Sequence, residues 1–159
     1  MPELTIKGLS LTRPWPFAFL NGPLEHQKRV ENRTWQPPSD LIGHFIALHA
    51  AKSWDEDDRR YIARCCGMPV PDKAGSPHSE IFAICKLTGF VTEQSDPRLP
   101  VEQWKWFSGP YGWLLDEVVP LIHPVRCSGE QGLWGFERRQ DILRLLRKSY
   151  RESIGRSEV

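Results

Sequence analysis

Short apolar segments that end at proline or glycine recur along the whole of this 159-residue chain. Alternating or continuous apolar positions predict strands at residues 4–12, 30–35, 43–51, 81–91, 111–119, 125–127 and 133–136. The first strand changes phase across Gly8, which indicates a bulge. A doubly wound parallel sheet needs a crossover helix after each strand, and these strands lack that regular spacing. The sequence therefore predicts an α+β fold, a small mixed β-barrel decorated by helices.

Helical patterns are interspersed among these strands. Residues 17–20 and 100–107 predict short helices, and Ser53 with Glu56 has the spacing of a capping box. The apolar stripe that follows this box ends at Gly67 and consists of Trp54, Tyr61, Ile62, Cys65 and Cys66. Residues 137–150 predict a C-terminal amphipathic helix whose apolar positions are Ile142, Leu145, Leu146 and Tyr150.

The charge of the chain is nearly balanced, with 21 Lys and Arg against 20 Asp and Glu and a formal net charge of +1. This excludes a protein that acts through overall basicity, so any affinity for nucleic acid must be local. We expect one compact domain with its core in residues 1–136, and a basic helix and tail, residues 137–159, packed on it or extending from it. The basic side chains of that helix either track a nucleic-acid backbone or form an ordinary solvated face: Arg138, Arg139, Arg144, Arg147, Lys148 and Arg151.

Membrane, secretion and metal patterns are weak in this chain. Apolar runs such as Ile81–Cys85 fall far short of the roughly 18 residues of a membrane helix, and the start lacks a secretion signal. Cys65 and Cys66 are adjacent, and the other two cysteines are isolated, so no CxxC pair exists. We therefore expect a cytoplasmic protein without disulfides, metal or cofactor, and without contact with a membrane.

Lys28, Glu31, Arg33 and Trp35 form the most informative cluster, because alternation along strand 30–35 places the last three on one face. Arg33 or Lys28 could hold a phosphate while Glu31 accepts a hydrogen bond from a base amine. A lysine beside a second cation could instead lose enough pKa to serve as a base. A solvated strand with a surface ion pair explains the same residues, and spacing alone leaves these interpretations open.

Four further residues are candidates for binding nucleic acid. Trp15 stands between Pro14 and Pro16 in a predicted loop, where it could be a stacking platform, and Arg13 ends the strand before it. His49 shares a strand face with Phe45 and Ala47, and Lys52 follows just past the end of that strand. A satisfied core histidine and an ordinary exposed lysine are the alternative interpretations of His49 and Lys52.

Several of these segments together resemble the ASCH (activating signal cointegrator homology) domains. The similar segments span residues 9–136 and are Leu9–Leu11, Pro14–Trp15, Lys28–Trp35, Ile46–Lys52, Tyr111–Leu115, Pro124–Arg126 and Gly129–Trp134. The resemblance implies a PUA-like fold, a pseudo-barrel with a cleft beside the Lys-x-x-Glu-x-Arg strand. It also implies that function is divided, because PUA-like domains bind RNA or modified bases, whereas some ASCH proteins bind DNA or cleave RNA.

One short bacterial ASCH branch hydrolyses N4-acetylcytidine through a lysine that activates a threonine three residues later. In this chain Glu31 stands at that spacing from Lys28, so the threonine is missing. We therefore expect a module that binds nucleic acid, RNA in preference to DNA, or a modified nucleotide. The alternative is a metal-independent nucleoside amidohydrolase or ribonuclease in which Lys28 or Glu31 is catalytic and Ser10 or Thr12 replaces the nucleophile. A protein-interaction domain is a third interpretation.

Overall fold

The computed structural model describes residues 6–157, so the predicted strand position at Leu4 lies outside the described residues. The strands are β1 (Lys7–Arg13), β2 (Val30–Arg33), β3 (Phe45–Trp54), β4 (Glu80–Val91), β5 (Tyr111–Arg126) and β6 (Leu133–Trp134). The α-helices are α1 (Trp15–Leu20), α2 (Glu56–Cys66) and α3 (Gln140–Ser157). Short 3₁₀ helices lie at Leu24–His26, Ser39–Leu41 and Val101–Trp106. No helix within these residues is long and apolar enough to cross a membrane.

The six strands form one mixed sheet in the order β2-β5-β4-β3-β1-β6. β1 and β3 run parallel, and the other neighbouring pairs are antiparallel. The predicted α+β architecture is confirmed, but the sheet is open rather than a closed barrel, with β2 and β6 at its edges. The edge strand β2 nevertheless approaches the other end of the sheet, because Arg33 of β2 donates a hydrogen bond at 2.9 Å to the carbonyl of Ser10 in β1, the strand next to β6.

Three clusters of buried side chains hold the sheet and helices together. The central one lies along β1, β3, β4 and β5 and includes Leu9, Leu48 and Trp113. A second lies under α3, where Leu143 and Leu146 pack with Trp134. The third joins α1 and α2 through residues such as Ile62 and Trp106. The two outer clusters position the loops at the ends of β1 and β3, where the candidate site lies.

β5 is longer than the sequence predicts, because it joins the predicted strands 111–119 and 125–127 into one. Its pairing with β4 shifts register at three places, and each shift changes the phase of the apolar alternation. Pro120 and Pro124 lie at the shift between Ile81 and Ala83, and proline in a strand is tolerated at bulges and edges. The predicted break at these residues was wrong for that reason.

The start of α2 also differs from the prediction. β3 continues through Ser53 and Trp54, so these two residues belong to a strand and not to the helix. The cap is Asp55, whose Oδ1 accepts hydrogen bonds from the backbone N–H groups of Asp57 and Asp58 at 2.9 and 3.1 Å. Ser53 instead donates a hydrogen bond to the hydroxyl of Thr12 on the neighbouring strand.

α3 begins three residues later than predicted, and three of its four predicted apolar positions, Ile142, Leu146 and Tyr150, do pack on the core. Leu143 and Leu146 are buried, whereas Leu145 is 54% exposed, so the inclusion of Leu145 in the apolar face was wrong. Two serines complete the contact with β5. Ser149 donates a hydrogen bond to the carbonyl of His123, and Ser153 accepts one from the backbone N–H of Ile122. These small polar residues do not register in an apolar-periodicity pattern.

Candidate nucleic-acid site

Lys28, Glu31 and Arg33 meet in one ion cluster, as their spacing on the sequence suggests. Lys28 Nζ lies 2.6 Å from Glu31 Oε1, and Arg33 lies 3.0 Å from Glu31 Oε2. The Lys28 ammonium also donates to the carbonyl of Val30 and lies over the rings of Trp15 and Phe19, 5.2 and 5.0 Å from their centroids. Lys28 is only 1% exposed, and burial lowers its pKa against the opposing effect of Glu31. Lys28 thus fixes the Glu31 carboxylate from the buried side of the ion cluster.

Arg33 connects this ion cluster to an open cleft of about 650 Å³. The cleft, which we call the polar cleft, lies between the ends of β1 and β3 and the segment 128–132. Its charged residues are Arg33, Lys52 and one acid, Glu130. Hydroxyl groups supply much of the remaining lining, from Ser10, Thr12, Ser53, Ser79 and Ser128. Such a surface is suited to hydrogen bonding rather than to burying an apolar ligand.

His49 lies at the inner wall of the polar cleft and is nearly fully buried. Its Nδ1 is 3.3 Å from Ser10 Oγ, and its Nε2 is 2.8 Å from the carbonyl oxygen of Cys127. The ring of Trp134 meets the imidazole edge-on, with centroids 5.5 Å apart. Burial lowers the pKa of His49, and the nearby guanidinium of Arg139 lowers it further.

Arg139 helps to form the polar cleft, although the sequence predicted it only as part of the basic C-terminal helix. It precedes α3, and its guanidinium lies 5.1 Å from the ring centroid of Trp134 while donating to the carbonyl of Ser128. It therefore fixes the segment 128–132 against the sheet. Local sequence patterns do not predict this contact, because Arg139 and Ser128 are 11 residues apart and belong to no common helix or strand.

No family model matches this chain, and no curated protein is significantly similar to it. Two crystal structures of ZmASCH from Zymomonas mobilis, a Tyr-to-Phe and a Ser-to-Ala variant, are similar at 16% identity and a TM-score of 0.50. The alignments cover 90% and 92% of this chain and 97% and 99% of the ZmASCH chains. This chain has the ASCH fold.

The resemblance stated from the sequence is thus confirmed for the fold. At 16% identity the likeness shows the fold and not which side chains act. Three of the seven candidate residues line the polar cleft of this ASCH fold, namely Arg33, His49 and Lys52. Lys28 and Glu31 support Arg33.

Arg13 and Trp15 lie elsewhere in the ASCH fold. Arg13 is buried, and its guanidinium donates to the carbonyls of Lys52, Lys73 and Ser76 at 2.7, 3.1 and 2.8 Å. The hydrogen bonds to Lys73 and Ser76 hold the long loop between α2 and β4 against the sheet. Trp15 begins α1 instead of lying in a loop, and its indole N–H donates to Asp58 at 2.7 Å.

Trp35 offers the exposed ring that was expected of Trp15. It follows β2, is 39% exposed, and stands edge-on against Trp113 with centroids 4.9 Å apart. Its ring also borders the polar cleft, because a Cβ placed on Gly132 would lie 3.8 Å from Trp35 Cζ2. The alternation of strand 30–35 places Trp35 on the same face as Glu31 and Arg33, and this pattern indicated that Trp35 lies near the site.

Metal ligands do not cluster in the described part of the chain. No group of three or more His, Cys, Asp or Glu side chains within residues 6–157 is arranged to hold an ion. The four cysteines are unpaired. The polar cleft offers hydroxyl groups, the His49 imidazole, two cations and the Glu130 carboxylate as its chemistry.

Proposed function

We propose that this chain binds nucleic acid or a nucleotide in the polar cleft, with RNA favoured over DNA. The observation that carries the proposal is the juxtaposition of Arg33, Lys52 and a hydroxyl-rich lining with the exposed ring of Trp35 at the border. Phosphate, sugar and base would each find a partner of suitable chemistry there. The near-neutral charge of the chain is compatible with this, because the cations are local.

The phosphate would be held at Arg33 and Lys52. Lys52 is exposed, and Arg33 is oriented by Glu31 and by the carbonyl of Ser10. The backbone N–H groups of residues 128–132 make no hydrogen bond to other residues within 6–157, so they remain free to donate to an anion. Charge-assisted and backbone donors together are the usual means by which proteins hold phosphate.

The base would stack on Trp35, and the sugar would lie over the hydroxyl lining. A stacked base contributes roughly 1–3 kcal/mol whatever its identity, which suits a site without a net basic surface. Hydroxyl groups can both donate to and accept from a ribose 2′-OH, and this supports a preference for RNA. The unpaired cysteines support the expected cytoplasmic location, where RNA is present and thiols stay reduced.

Lys28 and Glu31 act in this proposal by positioning Arg33. Both carboxylate oxygens of Glu31 are occupied, one by Lys28 and one by Arg33, so the carboxylate holds the guanidinium at the border of the cleft. Trp15 contacts this cluster through the Lys28 ammonium, which lies over its ring. Arg13 contacts the cleft by donating a hydrogen bond to the carbonyl of Lys52. Their contribution to binding would be indirect.

Fluorescence anisotropy with a labelled single-stranded RNA, and with DNA of the same sequence, tests the proposal. Trp35→Ala should weaken RNA binding about 5- to 150-fold, the equivalent of one lost stacking contact. Trp104→Ala is the matched control, because Trp104 is 38% exposed, like Trp35, but lies in the 3₁₀ helix Val101–Trp106, none of whose residues lines the polar cleft. Equal effects of the two substitutions, or no RNA binding by the folded wild type at low salt, would overturn the proposal.

A further inference from the structure

Ser10 and His49 face each other across the parallel pair β1–β3, where they are register partners. Ser10 Oγ lies 3.3 Å from His49 Nδ1, and both residues line the polar cleft. Their other partners decide where each proton lies. Trp134 Nε1 can only donate, so Ser10 Oγ accepts from it at 3.0 Å and retains its own proton for another acceptor.

The imidazole is oriented in the same way. The carbonyl of Cys127 can only accept, so His49 Nε2 carries the proton in that 2.8 Å hydrogen bond. His49 Nδ1 is then unprotonated and faces the hydroxyl of Ser10. A nucleophile beside a base, with the base oriented by a third group, is the arrangement shared by enzymes that use an activated serine.

We propose that Ser10 and His49 form a nucleophile–base pair that hydrolyses a carboxylic ester bound in the polar cleft. Ser10 Oγ forms a bond to the acyl carbon, and its proton passes to His49 Nδ1. The ester C–O bond breaks, and the departing alkoxide takes that proton to leave as an alcohol. Water then attacks the acyl-serine, delivers its proton through His49 to Ser10 Oγ, and releases the carboxylic acid. Ester and water are consumed, and no other reactant is needed.

Two neighbours support this role. Arg33 donates to the carbonyl of Ser10, so a permanent positive charge lies beside the nucleophile. Gly129 covers the pair on one side: a Cβ there would lie 2.6 Å from the His49 ring and 2.7 Å from Ser10 Oγ. Any larger residue would push the segment 128–132 away from the pair. The buried imidazole is also held neutral, because burial lowers its pKa.

The substrate class follows from the same cleft. Arg33 and Lys52 favour an ester whose acyl or alcohol part carries a phosphate. This part of the inference rests on the proposed function, whereas the Ser10–His49 pair rests on its own geometry. The pair is separate from the expectation that Lys28 serves as the base, since Lys28 lies buried behind Glu31.

Diisopropyl fluorophosphate tests the pair directly, because an activated serine displaces fluoride from its phosphorus. Intact-mass spectrometry should show one adduct on the folded wild-type chain, and peptide mapping should place it on Ser10. His49→Gln should slow labelling about 100- to 10,000-fold, the range for loss of a general base. Ser10→Ala should abolish it, and Ser39→Ala is the matched control, because Ser39 is an exposed serine of the 3₁₀ helix Ser39–Leu41 outside the polar cleft. Wild-type protein should also hydrolyse p-nitrophenyl acetate.

Mapping of the wild-type adduct needs no variant, so the test holds even if a substitution unfolds the chain. No adduct at millimolar probe, an adduct on another residue, or equal rates for wild type and a folded His49→Gln protein would overturn the Ser10–His49 pair. The probe carries no nucleotide, so that failure leaves RNA binding at Trp35 intact. Saturating AMP should slow labelling, and labelling at Ser10 that AMP leaves unchanged would overturn the phosphorylated substrate.

Discussion

At the scale of single residues, Lys28 is the least expected feature of the site. A lysine ammonium buried under two aromatic rings needs compensation, which Glu31 and the carbonyl of Val30 supply. Desolvation lowers the pKa of Lys28 and the carboxylate opposes that shift. Removing either Lys28 or Glu31 would leave the other as a buried, unpaired charge, and that loss of pairing would lower the free energy of unfolding.

Glu31→Gln should therefore reduce the free energy of unfolding by roughly 3–5 kcal/mol, since Lys28 and Arg33 would lose their common carboxylate. Urea denaturation monitored by tryptophan fluorescence measures this. Glu137→Gln is the matched control, because Glu137 pairs with Lys7 at 3.3 Å on the surface and its loss should have no measurable effect. Equal midpoints for the two variants would contradict the structural weight given to Glu31.

At the scale of secondary-structure elements, the junction of β3 and α2 shows how two local patterns compete. Ser53 and Glu56 fit a capping box, yet β3 continues to Trp54 because it pairs with β1 as far as Arg13. Asp55 then becomes the first residue free to cap the helix. Pairing across the sheet, which is invisible in a local window, moved the cap by two residues.

Asp55→Ala should accordingly destabilise the chain by about 0.5–2 kcal/mol through loss of the α2 cap. Ser53→Ala should cost less, because its hydroxyl caps no helix and donates to Thr12 at the surface. Thermal unfolding followed by circular dichroism compares the two. A larger effect at Ser53 than at Asp55 would restore the capping box suggested by the sequence.

At the scale of the whole molecule, charge and packing divide α3 into two faces. Leu143 and Leu146 are buried against the second cluster, while Arg144, Lys148 and Arg151 are exposed. Residues 137–159 carry seven Lys or Arg against four acids, so the exposed face is the basic part of a nearly neutral chain. Such a face would add affinity for any nucleic-acid backbone without reading its sequence.

Replacing Arg144, Arg147 and Arg151 together by Gln tests that contribution. If each contacts a phosphate of single-stranded RNA, the slope of log K against log salt should fall by about 2. Binding at Trp35 should persist at low salt, because the stacking contact is separate from the helix. An unchanged slope would remove α3 from the interface.

Part of this molecule could be predicted from local pattern alone. Alternation placed Glu31 and Arg33 on one strand face, and they do meet. The α+β class followed from short strands without regular crossover helices, and it is confirmed. These features depend on neighbours a few residues apart, so periodicity and turn residues suffice to predict them.

Other features depend on residues that are distant in the sequence, and only the tertiary structure decided them. Whether Trp15 or Trp35 is the exposed ring depended on which lay under α2 and which lay at the edge of the sheet. The meeting of Ser10 and His49 depended on the register of a parallel pair 39 residues apart, and the proton positions depended on Trp134 and Cys127, which are further still. By itself the sequence determined the charge balance, most of the strands and the strand face that Glu31 and Arg33 share. The cleft, the register and the buried hydrogen bonds required the packed chain, because burial and pairing energies act between surfaces that meet only when the sheet has formed.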